Sequence, residues 1–260
     1  MYHHVVWLTD LSEHASACEG PVRCLAMMEP ARVSVVYAAR TNEEEGETRE
    51  GLAALTVGLA SDDIDVSVRV HQGVPSEVAC GYAGQADLLV LGRRGRAGVK
   101  QLLGSTSHKV LRSATCSVMV VGGRQFTDLT NILCPVEVHR PAVVPIVHAA
   151  RLAVGYDAKC TFLALMPFGY EQPAEEVLKE LQSAVHNSLE PSLRNNLKAR
   201  FEVGYASEPA EGICAVAEEH DLLVMGAHVR GTLVRVMLGS VSENVAQHAP
   251  IPVLVARSLA

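Results

Sequence analysis

The chain has 260 residues, enough for one large domain or for two of ordinary size, and either would bury a substantial core. Its formal net charge of −7 disfavours binding to nucleic acid and to anionic membrane surfaces. Seven cysteines without a CxxC pair argue against a disulfide framework and against a zinc site.

The composition favours an α/β fold. Hydrophobic residues make up 48% of the chain but aromatic residues only 4%, so the apolar content is mainly Ala, Val and Leu, which suits strands covered by helices on both faces. Neither a signal-peptide pattern nor an apolar run of about 18 residues occurs. We therefore expect a cytoplasmic protein without a membrane or nucleic-acid partner.

Alternating apolar and amphipathic segments in the first half predict a parallel sheet with right-handed helical crossovers. The first helix follows "DLSEH", where Asp10 or Ser12 would cap it, and Gly20 and Pro21 predict that it is kinked or starts late. The predicted strands are residues 5–9, 32–38, 65–70, 88–91 and 117–121, and the later helices are 43–60, 76–83 and one from Ser105.

The second half repeats the first in the same order, which indicates tandem duplication. "DLLVLG" at 87–92 matches "DLLVMG" at 221–226, and "GSTSHKV" at 104–110 matches "GSVSENV" at 239–245. The segment "GGRQFTD" at 122–128 suits a linker, so we predict domains at 1–123 and 128–260. Strands are predicted at 131–136, 160–165, 199–203, 222–225 and 253–256, with a long helix at 173–187.

Glycines follow the fourth predicted strand of each half, whereas a Rossmann motif would follow the first strand, and no P-loop motif occurs. Gly92 and Gly95 would let the backbone approach a ligand, and Gly104 and Ser105 open a helix whose free amides can receive an anion. If strands one and four are neighbours, Asp10 faces Gly92 across the crevice. The nearby basic side chains would add positive potential: Arg93, Arg94 and Arg96.

Structural explanations exist for the same residues. The glycines suit a tight turn after a buried strand, the arginines suit a solvated basic face, and Asp10 and Ser12 suit helix caps. In the second half, "SVSE" at 240–243 is also typical of a capping box. His3 and His4 are adjacent on a predicted strand and point to opposite faces, so no metal site is assigned. No catalytic residue is assigned either.

The motifs "TDLSEH", "DLLVLGRRG" and "LLGSTSHKVL" resemble those of universal stress protein domains, and the likeness covers nearly the whole chain. ATP-binding members of that family carry T-D after strand one and G-x-x-G-x9-G-[ST] after strand four. The resemblance implies strand order 3-2-1-4-5, fifth strands that meet in a pseudo-dimer of the two halves, and a regulatory role without assigned catalysis. Further homo-oligomers, and slow hydrolysis of bound ATP, are left open.

The resemblance also implies a ligand, namely ATP or another adenine nucleotide, with or without Mg²⁺. Asp10 would contact the base or ribose, and Ala38 would lie near the adenine. The remaining first-half positions that match are Gly92, Gly95, Gly104, Ser105 and Thr106. The weaker matches in the second half are Gly226, Gly239, Ser240 and Val241.

Both halves depart from the family pattern. Only eight residues separate Gly95 from Gly104, and Leu8 replaces a common proline. In the second half, Val229 replaces the second glycine and Glu137 replaces the aspartate. These departures favour an alternative, a nucleotide-free scaffold that binds proteins or another small ligand. An ATP-consuming enzyme is less well supported, because no reactive base or pair of metal-binding carboxylates is visible.

Overall fold

A computed structural model of the chain describes residues 2–28, 31–39, 45–60, 62, 64–93, 103–227 and 238–257. Strands and helices alternate in the first half, as the apolar pattern predicts. The strands are β1 (His4–Thr9), β2 (Arg32–Ala39), β3 (Asp65–Gln72), β4 (Leu88–Gly92) and β5 (Ser117–Val121). The helices are α1 (Glu13–Ser16), α2 (Glu19–Met28), α3 (Glu45–Ala60), α4 (Pro75–Tyr82) and α5 (Ser105–Ser113).

The second half has the same plan, except that the single helix α6 takes the place of α1 and α2 and one short helix is added. Its strands are β6 (Asn131–Pro135), β7 (Lys159–Met166), β8 (Lys198–Tyr205), β9 (Leu222–Gly226) and β10 (Val253–Ala256). Its helices are α6 (Val143–Gly155), α7 (Ala174–Ser188), α8 (Pro191–Asn196), α9 (Pro209–Ala217) and α10 (Ser240–His248). The additional helix is α8, which lies between α7 and β8.

All ten strands form one sheet in the order β3-β2-β1-β4-β5-β10-β9-β6-β7-β8. Each half therefore has the strand order 3-2-1-4-5, and the pairs within each half are parallel. The predicted α/β class and strand order are confirmed. The two halves meet through β5 and β10, which pair antiparallel from Val118 opposite Val255 to Val120 opposite Val253.

The central strands are apolar on both faces because helices cover both sides of the sheet. Every residue of β1, β4 and β5 is buried. Along β1, Val5 and Trp7 enter one core layer, whereas Val6 and Leu8 enter the other. The outermost strands β3 and β8 are more exposed and carry charged residues, which disfavours pairing with another sheet.

The predicted disruption of the first helix is a division into two helices. The short α1 ends at Ser16, and α2 starts at Glu19. Pro21 therefore lies in the first turn of α2, where its missing N–H removes no intrahelical hydrogen bond. The amide of Val22 donates to the Cys18 carbonyl at 2.9 Å, so the helical bonding begins immediately after the proline.

The connection between the halves is fixed by contacts to both of them. Gly123 has φ of +70°, and a Cβ atom there would lie only 1.9 Å from the Pro250 carbonyl oxygen, so this position requires glycine. The backbone N–H of Arg124 donates to the same carbonyl at 2.7 Å, and its guanidinium donates to the His220 carbonyl at 2.6 Å. Phe126 is buried in the core.

Polar groups at the boundary of the halves are also paired. Arg257, just beyond β10, donates to the carbonyls of Leu111 and, at 3.3 Å, Cys116 in the first half. Its backbone N–H donates to the Ser117 hydroxyl at 3.1 Å. Tyr2 in the first half and His148 on α6 also meet, with 2.9 Å between the hydroxyl and Nδ1.

Five of the seven cysteines are buried, whereas Cys80 and Cys214 are partly exposed. Burial raises the pKa of the Cys116 thiol to about 11, so this thiol is protonated at neutral pH. His3 is exposed and His4 is buried, as their adjacent positions predict. In the described part of the chain, no helix combines the length and apolarity needed to cross a membrane.

Candidate functional site

The candidate site of the first half lies at the carboxyl edge of the sheet, where β1 is flanked by β2 and β4. Thr9 of β1 pairs with Tyr37 of β2, and Leu8 pairs with Leu91 of β4. The next residues along the three strands are predicted site positions, namely Asp10, Ala38 and Gly92. The structure therefore brings these three to neighbouring strand ends, at the point where the winding of the sheet reverses.

The connection from β1 to α1 fixes the position of the Asp10 carboxylate. The Ser12 hydroxyl and backbone N–H both donate to Asp10 Oδ1, at 2.5 Å and 3.1 Å. Ser12 is itself the N-cap of α1, because its Oγ accepts from the Ala15 N–H at 3.3 Å. Leu11, between them, has φ of +60°, and its N–H donates to the Thr9 hydroxyl at 3.0 Å. Asp10 thus stabilises the turn that starts α1.

Gly92 has a packing role that the sequence pattern does not reveal. A Cβ atom at this position would lie 2.5 Å from the His14 carbonyl oxygen and 2.9 Å from the His14 carbonyl carbon. Trp7 also contacts this short helix, because its indole N–H donates to the Ala15 carbonyl at 3.2 Å. Gly92 therefore lets the backbone of α1 cross the end of β4.

The start of α5 supplies the anion-binding features of the site. Gly104 is the N-cap residue and has no side chain with which to cap the first turn. Ser105 is exposed and Thr106 is half-buried. The partial positive charge of a helix N-terminus and its free amides favour an anionic group there. The described residues at this helix start therefore suit a phosphate.

Ser107, the third hydroxyl residue after Gly104, has a structural role. Its buried hydroxyl donates to the Gly92 carbonyl at 2.8 Å, which satisfies the last carbonyl of β4. Ser242 makes the equivalent bond to Gly226 in the second half, at 3.0 Å. The sequence indicates this shared structural role, because GSTS at 104–107 and GSVS at 239–242 have in common only the glycine and the first and last serines.

Arg93 does not belong to a solvated basic face, nor does it point freely toward a ligand. The side chain is buried and donates to the Ala249 carbonyl and, at 3.5 Å, to the Ile251 carbonyl, both in the second half. Gly122 leaves the space for it, since a Cβ atom there would lie 2.5 Å from Arg93 Nε. Arg93 therefore binds the two halves together.

The backbone of Arg93 closes the base of the glycine-rich segment. Its N–H donates to the Val121 carbonyl at 2.7 Å, and its carbonyl accepts from the Gly104 N–H at 2.8 Å. Arg93 and Gly104 are therefore hydrogen-bonded to each other. Gly95, Arg94 and Arg96 lie outside the described residues, as do His228 and Val229 in the second half.

The second half presents the equivalent helix start but a different carboxylate. Gly239 is the N-cap of α10, followed by exposed Ser240 and half-buried Val241, and Gly226 ends β9. A Cβ atom at Gly226 would lie 3.3 Å from Pro145 Cγ, a side-chain contact much less severe than the one at Gly92. Glu137 is exposed, whereas Asp10 is half-buried.

The capping box predicted at 240–243 does not form. Gly239 is the N-cap and Ser240 is the first helical residue. The Glu243 carboxylate instead contacts the first half, with Oε1 2.7 Å from His108 Nε2 and Oε2 3.4 Å from Arg112. His108 and Glu243 occupy equivalent positions in the two repeats, so divergence has produced a complementary pair between α5 and α10.

Comparison with known proteins agrees with the repeated plan. The sequence model of the universal stress protein family matches residues 1–122 and 129–257. The chain belongs to this family. A universal stress protein of Mycobacterium tuberculosis strain H37Rv is 30% identical over 223 residues, which cover 79% of this chain and 73% of its own.

Solved structures of universal stress proteins share the fold of the whole chain. One from Archaeoglobus fulgidus has a TM-score of 0.79 with 18% identity and covers 98% of both chains. One described as a putative universal stress protein, from Pseudomonas aeruginosa, has a TM-score of 0.71 with 15% identity and covers 98% of this chain and 93% of its own. At these identities, the likeness shows the fold alone.

The two candidate sites of this universal stress protein lie at opposite edges of the sheet. Because β5 and β10 are antiparallel, the carboxyl ends of the first five strands lie at the same edge as the amino ends of the last five. A ligand at one site therefore does not contact the other. The two candidate sites are therefore separate.

A hydrogen-bonded cluster beside the second candidate site was not predicted from the sequence. His139 Nε2 lies 2.6 Å from the Tyr170 hydroxyl, and Nδ1 lies 3.7 Å from Glu180. Gln172 donates to Glu180 at 2.7 Å. The cluster joins the connections after β6 and β7, and no spacing in the sequence indicates it.

Proposed function

We propose that the first half binds an adenine nucleotide, with ATP as the leading candidate, and that this cytoplasmic protein is a regulatory sensor without a catalytic step. Its units are the repeats 1–123 and 128–260. One observation carries the proposal. The start of α5, uncapped by a side chain, follows the strand that lies beside β1, so an anion-binding helix end and the Asp10 carboxylate flank one crevice.

The described residues suggest a division of roles. Asp10, held by Ser12, would accept hydrogen bonds from the ribose or the base. Ala38 has a small side chain at the end of β2 and leaves room for an adenine ring. Gly104, Ser105 and Thr106 would donate backbone and hydroxyl hydrogen bonds to phosphate oxygens, with or without Mg²⁺. Gly95 would complete this set.

The second half is the weaker nucleotide site. Gly226, Gly239, Ser240 and Val241 repeat the helix start, but Val241 replaces the hydroxyl of Thr106. Glu137 is exposed, and among the described residues no side chain holds its carboxylate as Ser12 holds Asp10. We therefore propose nucleotide binding there only as a secondary event.

A specific observation favours the alternative, a nucleotide-free scaffold. Three residues in or beside the motif of the first half have structural roles that need no ligand: Gly92 accommodates α1, Ser107 satisfies the Gly92 carbonyl, and Arg93 joins the halves. A scaffold would retain all three. Ser105 and Thr106 distinguish the two proposals. Neither forms a hydrogen bond through its side chain within the described residues, so a scaffold does not require their hydroxyls whereas a nucleotide site uses them.

Calorimetric titration with ATP, with and without Mg²⁺, tests the proposal. We expect saturable binding by the wild type and a loss of at least about tenfold in affinity for Ser105→Asp, because a carboxylate at the first helical position repels phosphate. The same charge favours the helix N-terminus, so the fold should remain intact. Ser240→Asp places an equal charge at the equivalent position of the second half and serves as the control.

Two results would oppose the proposal. One is the absence of saturable ATP binding by the wild type up to about 1 mM, which corresponds to a binding free energy of roughly −4 kcal/mol. This result would favour the nucleotide-free scaffold. Unchanged affinity in Ser105→Asp, with a loss in Ser240→Asp, would place the nucleotide in the second half.

A further inference from the structure

A cavity on the second half lies away from both strand-end sites. Helix α8 packs beside α6, and an open cavity of about 560 Å³ lies between α6, the end of α7 and α8. In the first half, α3 ends at Ala60 and β3 begins at Asp65, a connection too short for an equivalent of α8. The cavity therefore belongs to one half and is not part of the duplicated site.

The cavity is lined by two side chains of opposite charge that do not pair with each other. Arg151 projects from α6, and Glu190 precedes α8. Within the described ranges, neither side chain forms a hydrogen bond or an ion pair. A ligand that carries both charges can satisfy the two groups at once, and Arg offers two parallel donors to a carboxylate.

The wall between these charges is apolar, with polar groups at its rim. Val147, Val154 and Leu193 line it, and all three are half-buried. Asn196 also lines it and donates its amide N–H to the Ser192 carbonyl at 2.9 Å, which leaves its amide oxygen as an acceptor. Small-molecule sites combine such an apolar surface with a few polar groups, in volumes of about 300–1,000 Å³.

We propose that this cavity binds a small zwitterion with an aliphatic body, that is, a free amino acid or a dipeptide. The ligand carboxylate pairs with Arg151, its ammonium group pairs with Glu190, and its side chain packs on Val147, Val154 and Leu193. Both charged residues are exposed to solvent, so we expect a Kd of about 0.1–1 mM. The ligand is independent of the nucleotide at the strand ends.

Ligand-observed NMR titration of the full chain tests the site with three probes: leucine, N-acetylleucine and leucine amide. The acetyl group removes the cation and the amide removes the anion, so each derivative should bind at least about tenfold more weakly than leucine. Arg151→Gln should reduce leucine affinity by a similar factor. Arg194→Gln changes an exposed arginine of α8 that does not line the cavity, and it should bind leucine as the wild type does.

Three results would overturn the proposal. One is the absence of saturable leucine binding up to about 20 mM, beyond the range of specific recognition. The second is equal affinity for leucine and its two derivatives, which would mean that the site does not recognise the ammonium and carboxylate groups of the ligand. The third is displacement of leucine by ATP, which would place leucine at the strand-end site. Failure of ATP binding alone leaves the amino-acid site intact.

Discussion

Arg93→Met removes the guanidinium that crosses from β4 to the second half while retaining an apolar stem. Arg93 donates to two carbonyls there, those of Ala249 and Ile251, the latter at a long 3.5 Å. A hydrogen bond to a charged group contributes about 1.5–3 kcal/mol, and an acceptor left buried without a donor adds a desolvation cost. The methionine variant no longer has to bury a charge, and the desolvation penalty that this avoids offsets part of the loss in stability. We expect a decrease of about 2–4 kcal/mol in the free energy of unfolding.

Urea unfolding followed by tryptophan fluorescence measures this change, because Trp7 is the single tryptophan and is fully buried. Arg112→Met is the matched control. Arg112 is 46% exposed and pairs with Glu243 at 3.4 Å, so its loss should cost less than about 1 kcal/mol. Equal stability of Arg93→Met and the wild type would refute the structural role of Arg93. Loss of ATP affinity without loss of stability would assign Arg93 to the ligand.

Two further predictions concern packing and pH. Gly92→Ala should destabilise more than Gly226→Ala by about 1–3 kcal/mol in the same assay, because the added Cβ at Gly92 would lie 2.5 Å from the His14 carbonyl oxygen; equal effects would contradict the packing role of Gly92. Burial, with a smaller effect of a nearby arginine, lowers the pKa of His148 from 6.5 to about 4. The unfolded state then binds more protons between these values, so stability falls as the pH falls; the wild type should lose about 2 kcal/mol more than His148→Gln between about pH 7.5 and pH 5. A retained wild-type slope in His148→Gln would contradict the assignment.

The sequence predicted the secondary structure well because its signals are local. The runs at 88–91 (LLVL) and 118–121 (VMVV) are apolar at every position, and both lie in buried strands of the structure. Pro21 and Gly20 predicted a defect in the first helix, and the chain indeed divides between α1 and α2. The duplication was visible since "DLLVLG" and "DLLVMG" keep five of six residues.

Residue roles within the candidate site depended on contacts that are distant in sequence. Arg93 and Ala249 are 156 residues apart, so no pattern around "LGRRG" predicts that this arginine joins two halves. The capping box predicted at 240–243 was wrong for the same reason. The Glu243 carboxylate contacts His108 on α5, which is distant in sequence, and does not cap its own helix. A local motif describes which bonds a side chain is able to make, and the tertiary neighbours decide which of them it makes.

By itself, the sequence determined the α/β class and the tandem duplication, which follow from hydrophobic periodicity and internal repeats, and its motifs resembled those of the family, which implied the strand order and a candidate site. The tertiary structure alone decided that Gly92 accommodates α1, that Arg93 joins the two halves, and that α8 borders a separate cavity. The physical reason is that close packing and buried hydrogen bonds depend on which distant groups become neighbours, whereas propensity and hydrophobic pattern act along the chain.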